Sequence, residues 1–409
     1  MNRRRRRINW FWVIVLTLLI AAGVYLDRWV IPEVQLPIYP TPTPTREPES
    51  FALEAETLFT QGKLLQAIQT YQEAIRVAPD DPALYVAMAR VQVFAGQYKE
   101  AQTSAEDALL LNPNNSMAHA VRGWALDFQG EYLAAESAVK RALEIDPNNA
   151  LAHAYYAEIL ADSFLSGTGP LDAIDKAAEE SRVALSLAPT ALESHRARGY
   201  VLEVTGNYED AIREYQAAIN INENISELHL DLGRNYRALG AYDKAIEEFT
   251  RANALNPPDP MPDLLMSRTY ATVGEYAKAV QYGEQAVKDD PSSANLHGNL
   301  GVMYYHNFQW TEAARELALA IYGGTLGEDQ TVEPLPLSNN ARVAEYYFTY
   351  ALVLSRLNRC NESLQVAQQI LGAIPSNDIA VYNANEAIRI CEQNLAATPT
   401  PSPQPSPTP

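Results

Sequence analysis

Five histidines fall in one phase of this chain: His119, His153, His195, His229 and His297, separated by 34, 42, 34 and 68 residues. Imidazoles are common metal ligands, so metal chemistry is the first reading of such a set. The spacing argues against it. Equivalent places on stacked helices lie about 8–10 Å apart or more, too far to share one ion. These histidines are expected to fill the same core slot of successive units. The acidic pairs Asp80-Asp81 and Asp289-Asp290 also resemble metal ligands, but each precedes a proline in turn-forming sequence, where such residues cap exposed helix amides. No metal and no cofactor is expected.

Nucleophilic and phosphate-handling chemistry lacks its motifs. The chain has no G-x-x-x-x-G-K-[ST], no H-E-x-x-H and no G-x-S-x-G, and its glycine-rich stretches Ser166–Pro170 and Tyr322–Glu328 have no strand-turn-helix setting. The expectation is a protein that is not an enzyme. The formal charge is −19, and without Arg3 to Arg7 the remainder carries −24. So acidic a body repels phosphate backbones, and no nucleic-acid partner is expected. Two cysteines, Cys360 and Cys391, exclude both a four-cysteine zinc site and a disulfide-dense scaffold.

The alanines reveal the elements that position everything else. Ala67, Ala101 and Ala135 are 34 apart, as are Ala211, Ala245, Ala279 and Ala313. Another alanine follows each by seven, at Ala74, Ala108, Ala142, Ala218, Ala252, Ala286 and Ala320. A proline recurs five further on (Pro79, Pro113, Pro147, Pro257, Pro291), and a glycine recurs five before the first alanine (Gly62, Gly96, Gly130, Gly206, Gly240, Gly274). A fixed period near 34 marks a helical repeat array. Glycine ends one helix in a left-handed cap, small alanines let two helices approach, and proline stops the second helix.

This pattern resembles the tetratricopeptide repeat family, whose helix-A small residue matches Ala55, Ala89, Gly123, Ala157, Gly199, Gly233, Ser267, Gly301 and Ala351. The resemblance implies an all-α, right-handed superhelical solenoid over residues 48–375. About nine units are expected, at 48–81, 82–115, 116–149, 150–191, 192–225, 226–259, 260–293, 294–322 and 344–377. The fourth carries about eight extra residues around Ser163–Asp172, and a loop at 323–343 follows the eighth. A helix over 378–396 is expected to cover the last apolar face, as an open stack requires. Cys360 opens the ninth unit's second helix and Cys391 lies late in the end helix. Twelve residues from Cys360 to Gly372 and twelve from Ile379 to Cys391 put both sulfurs at one level of an antiparallel pair. A disulfide is the expectation and two buried thiols the alternative.

The ends of the chain have another character. After a basic tail (1–7) comes an apolar run, Ile8 to Leu26, flanked by Trp10, Trp12, Tyr25 and Trp29. It is expected to form a transmembrane helix within 8–31, with the arginines cytoplasmic and the repeats on the far side of a bacterial envelope. A signal peptide cleaved near Ala21-Ala22-Gly23 is the alternative, and a buried core helix another. Residues 32–47 read as a Pro/Thr spacer and 397–409 as a disordered Pro/Ser/Thr tail.

In tetratricopeptide arrays helix A lines the concave face, so the resemblance directs attention to Arg90, Trp124, Tyr200, Arg234 and Arg268 in one register. Phe94, Phe128, Arg196, Arg237, Tyr305 and His306 are neighbours on that face. Aromatic rings gather early and arginines in the middle, suiting an extended acidic or mixed peptide. The alternative is that the arginines pair with Glu158, Asp162, Glu193, Glu203 and Glu227. Chaperone-tail-binding members of the family carry a basic residue and an asparagine four later in helix A, a pair not found here. A membrane-held interaction scaffold is therefore expected. The alternatives are an accessory subunit of an envelope enzyme, or an import receptor if the topology is reversed.

Overall fold

The punctuating glycines and prolines sit at the turns of stacked helical hairpins in the computed structural model, which describes residues 9–26, 28, 46–327 and 330–397. The chain divides into two units, 1–47 and 48–409. In the first, α1 (Trp10–Tyr25) has 16 residues, none buried, and is about 24 Å long. Among the described residues no helix is long and apolar enough to cross a membrane. Of the span expected over 8–31, α1 covers 10–25, and residues 8, 27 and 29–31 lie outside the described residues. The basic tail 1–7, spacer residues 32–45 and tail residues 398–409 lie outside the described residues.

The second unit begins with α2 (Pro48–Thr60) and α3 (Leu64–Val77), then α4 (Pro82–Phe94) and α5 (Tyr98–Leu111), then α6 (Ser116–Asp127) and α7 (Tyr132–Ile145). It continues with α8 (Ala150–Leu165) and α9 (Ala173–Leu187), α10 (Leu192–Val204) and α11 (Tyr208–Ile221), and α12 (Ser226–Ala238) and α13 (Tyr242–Leu255). The later pairs are α14 (Pro260–Thr272) and α15 (Tyr276–Asp289), α16 (Ala294–His306) and α17 (Trp310–Tyr322), and α18 (Ala341–Arg356) and α19 (Cys360–Ala373). A final helix, α20 (Asp378–Ala397), packs on α18 and α19.

Local chemistry explains these boundaries. Asp81, Asn115, Asn149, Asp259 and Asn340 each accept a hydrogen bond from an amide of the helix they precede. Inside each early hairpin the turn glycine has positive φ, between 69° and 80° from Gly62 to Gly274. In the last two hairpins Phe308 (φ 63°) and Asn358 (φ 59°) take that left-handed place without glycine. Helix-A glycines meet a different need. A Cβ on Gly233 would lie 2.5 Å from the Phe249 ring, so the first helix can seat against the second only without one. The periodic alanines, from Ala67 to Ala320, are buried.

The insertion after α17 holds structure of its own. β1 (Gly324–Leu326) and β2 (Gln330–Val332) pair antiparallel, with Thr325 opposite Thr331. The Leu335 amide then donates to the Ala320 carbonyl at 2.9 Å, and the Tyr347 hydroxyl donates to the Leu335 carbonyl at 2.9 Å. The stack continues across it, since the Tyr346 ring occupies the space a side chain on Gly298 would need. Cys360 and Cys391 are disulfide-bonded with Cα atoms 5.4 Å apart, tying α19 to α20. Asn394 in α20 donates to the Ser355 carbonyl at 3.0 Å.

One feature is not nearest-neighbour stacking. In the turn after α11, the Asn224 amide donates to the Thr60 carbonyl at 2.9 Å, joining residues 164 apart. A Cβ on Gly62 would collide with the Asn224 carbonyl at 2.7 Å. Arg90 of α4 meets Glu193 of α10 at 2.5 Å. The superhelix therefore closes on itself within its first turn, the first two hairpins touching the fifth and the start of the sixth.

Candidate functional site

First helices of successive hairpins face the inside of the superhelix, and closure decides what that inside becomes. In the first turn it is a core. Trp124 is fully buried, stacked on Tyr155 at 4.4 Å and edge-on to Phe94 at 5.1 Å. Its indole N–H donates to Glu158 at 2.8 Å. Arg196, 6% exposed, lays its guanidinium 5.1 Å over Trp124 and 5.7 Å over Phe128. It donates to Glu158 at 2.6 Å and Glu227 at 3.0 Å. Arg90 sits 4.8 Å over Phe59 and bonds Glu193. Burial works against the charge of both arginines, but the carboxylates beside them hold both well above the usual arginine range.

Five of the expected groove residues, Arg90, Phe94, Trp124, Phe128 and Arg196, are thus engaged with one another and with acids inside the first turn. Pairing between arginines and acids is the arrangement found there. Arg234 is likewise paired, to Glu203 at 3.1 Å and Asp231 at 2.6 Å. Tyr200 donates its hydroxyl to Asp162.

The concave face over α12, α14, α16 and α18 is different. Arg268 donates to the Asn299 side chain at 3.1 Å, and among the described residues neither it nor Arg237 forms an ion pair. Arg342, at the start of α18, comes close enough to repel both. Partial burial and the neighbouring guanidiniums move Arg237 and Arg268 below the usual arginine value. Glu345 acts on Arg268 from a distance, and Arg342 already bonds it at 2.9 Å. Tyr305 and His306 flank this region in an aromatic group, His306 stacked on Tyr276 at 5.1 Å and edge-on to Tyr305 at 5.3 Å. Arg342 was missed by sequence reasoning because the ninth unit was started at Ala344, three residues after the helix begins. Its signal was the Asn340 cap just before it.

The histidines hold the scaffold rather than a ligand. In each, the ring Nε2 lies 2.9–3.0 Å from a carbonyl six residues earlier, as His297 to Pro291. Nδ1 meets a carboxylate of the paired helix: His153 to Glu180, His195 to Glu214, His229 to Glu248 and His297 to Glu316. Both ring nitrogens of these four histidines therefore face acceptors within the scaffold. For His153 the Glu180 bond leads and raises the pKa. For His297 burial opposes the charge, but the Glu316 carboxylate and Pro291 carbonyl outweigh it. His119 has only the carbonyl, and burial lowers it. Among the described residues no group of His, Cys, Asp or Glu could hold a metal ion.

Hairpins stacked into a superhelix with a lined inner face define a helical-repeat solenoid. Tetratricopeptide repeat family models match residues 58–125 and 205–268, 118–149, and 264–329. The repeats of this chain are tetratricopeptide repeats. Similar solved structures include pilF of Pseudomonas aeruginosa, 22% identical with TM-score 0.41, where the match covers 49% of this chain and 88% of that one. A tetratricopeptide repeat protein from Parabacteroides merdae is 16% identical with TM-score 0.41, covering 63% and 98%. MamA is 23% identical with TM-score 0.33, covering 41% and 94%. No curated protein matches the sequence.

Proposed function

We propose that this chain is a non-catalytic scaffold that holds a partner protein by an acidic segment laid across the concave face of α12, α14, α16 and α18. The observation that carries this reading is the close approach of Arg237, Arg268 and Arg342, of which among the described residues only Arg342 has an ion-pair partner, in a chain of net charge −19. Guanidinium forks bind carboxylates in pairs of parallel hydrogen bonds, and the Tyr305–His306 group adds flat contact area beside them. Arg196 and Arg234 play no part, because buried acids already neutralise them.

The test is fluorescence anisotropy with three labelled peptides of equal length, one rich in Asp and Glu, one rich in Lys and one neutral. The acidic peptide alone should bind, more weakly as salt rises, and R237E/R268E should abolish its binding while the protein stays folded. Equal binding of all three, or an unaffected double variant, would remove the reading.

The same proposal places the scaffold at a membrane, with the repeats extracytoplasmic. Its support is the sequence of α1 and its surroundings: an uncharged apolar run beside five arginines, flanked by tryptophans. Cell fractionation with and without residues 1–31, followed by protease accessibility of the repeats, tests both parts. Soluble full-length protein would refute the anchor.

A further inference from the structure

A pocket of the opposite charge lies elsewhere on the inner face. It opens between α6, α8, α10 and α12 with a volume of about 520 Å³. Asp127, Glu158, Asp162, Glu227 and Asp231 line it, against only two guanidiniums, Arg196 and Arg234. Phe128, Tyr132 and Tyr200 supply aromatic wall.

The hydrogen-bond accounting is incomplete there. Glu158 Oε2 receives both the Trp124 indole and Arg196, while Glu158 Oε1 receives nothing. Asp162 receives the Tyr200 hydroxyl, Glu227 receives Arg196, and Asp231 receives Arg234. Asp127 hydrogen-bonds Asp162, carboxyl to carboxylate, and among the described residues its Oδ1 meets no other donor. Asp127 is 4% exposed and Glu158 2%, and both line the pocket. Acceptors this buried normally have a donor, and leaving one unmet costs about 1–3 kcal/mol or more.

We infer that this pocket receives an organic ammonium cation, either a lysine side chain of a partner or a free polyamine. A compact ammonium carries three donors on a flexible stem, which suits the unmet Glu158 oxygen beside the paired carboxyls of Asp127 and Asp162. Carboxylates with tyrosine and phenylalanine faces are the usual surroundings of such a cation. The carboxylates are not grouped so as to bind a metal. The stacking place over Trp124 and Phe128, where a guanidinium would go, is already taken by Arg196. This site is independent of the acidic-segment reading and has the opposite sign.

The groups around the pocket add a signature. Burial pushes Glu158 and Asp231 up to about 7, with Arg196 and Arg234 opposing. Burial and the carboxylates of Asp162 and Glu158 push Asp127 well above the usual range, and burial raises Asp162 despite its bond from Tyr200. Near neutrality Glu158 and Asp231 are therefore partly protonated, and an entering ammonium must release those protons. Affinity should rise with pH, and binding should be accompanied by proton release.

Isothermal titration of the full chain with spermidine, with Nα-acetyl-lysine amide and with neutral Nα-acetyl-norleucine amide tests the inference. Buffers of different ionisation heat report the released protons. The expected result is ammonium-dependent binding, roughly tenfold tighter at about pH 8 than at about pH 6. In the near-isosteric D127N, whose melting temperature verifies folding, that binding should weaken roughly tenfold or more. Preference for spermidine would identify a free polyamine, and preference for the lysine derivative a partner side chain. No ammonium binding at either pH, binding of the norleucine control, or unchanged affinity in D127N would each overturn the inference.

Discussion

In the first turn of the superhelix Arg90 and Arg196 point inward onto aromatic rings and carboxylates, and their helices close around them. In α12 and α14 Arg237 and Arg268 stand on the same inner face, yet among the described residues neither forms an ion pair and each has another arginine near it. The residue type is identical, and what differs is what the neighbouring helices supply. Where a later hairpin brings a glutamate across the axis, arginine becomes core. Where the stack stays open, arginine is left without a carboxylate of its own. An inner face of a repeat protein is thus not one surface with one job, because curvature can turn part of it into interior.

The sharpest way to break this comparison is Arg196→Ala. It strands Glu158 and Glu227, one fully enclosed, and removal of one partner from a buried ion pair costs about 3–5 kcal/mol. Urea unfolding should show that loss, and a cost below about 1 kcal/mol would mean the first turn is not held as described. Next comes the far end of the stack. Cys360→Ser with Cys391→Ser should lower stability by about 3–4 kcal/mol on the loop-entropy estimate for a 31-residue separation. Faster hydrogen exchange should follow in α19 and α20 but not in α2 to α6.

Titration sharpens the contrast further. Glu158 and Asp231 have folded values near 7, above their unfolded ones, so folding favours their protonated forms. Stability from them is fully present below the ordinary carboxylate range and declines as pH rises towards about 7. His297 is raised and Glu316 lowered, burial opposing both shifts and their mutual bond prevailing. The histidine's contribution is present below about 6.5 and lost as pH rises through its higher folded value; that of Glu316 is present above its unfolded value and lost as pH falls. Hydrogen exchange at several pH values should therefore show α8 and α12 loosening before α16 and α17 as pH rises. Simultaneous loosening would contradict the assignment. The smallest effect belongs to Arg237→Ala, within about 0.5 kcal/mol in the same urea assay, because nothing inside depends on it.

Much of this architecture was legible in residue spacing. Alanine, glycine and proline periodicity reports contacts between adjacent helices, and it located the hairpins, their turns and the end helix. The Cys360–Cys391 bridge followed from equal distances about one turn. The inner face was less legible for a physical reason. Curvature accumulates from small rotations per repeat, which periodicity does not encode. Glu193 reaches Arg90 from 103 residues away, and Asn224 reaches Thr60 from 164. Trp124 and Arg196 therefore looked like groove residues, being on the right helices in the right register, until closure enclosed them. Phe308 and Asn358 were hidden for a simpler reason, because the left-handed turn position usually asks for glycine.

Closure by Asn224 also changes what kind of mechanical object this chain is. An open solenoid stretched from its ends yields like a spring, one hairpin peeling after another at similar modest force. Here the contact between the first hairpin and the turn after α11 acts as a latch across a ring. Pulled from residue 48, the first turn should resist until the latch shears, then lengthen in one large step. The later hairpins should extend one at a time, with α19 and α20 held short of full length by the Cys360–Cys391 link.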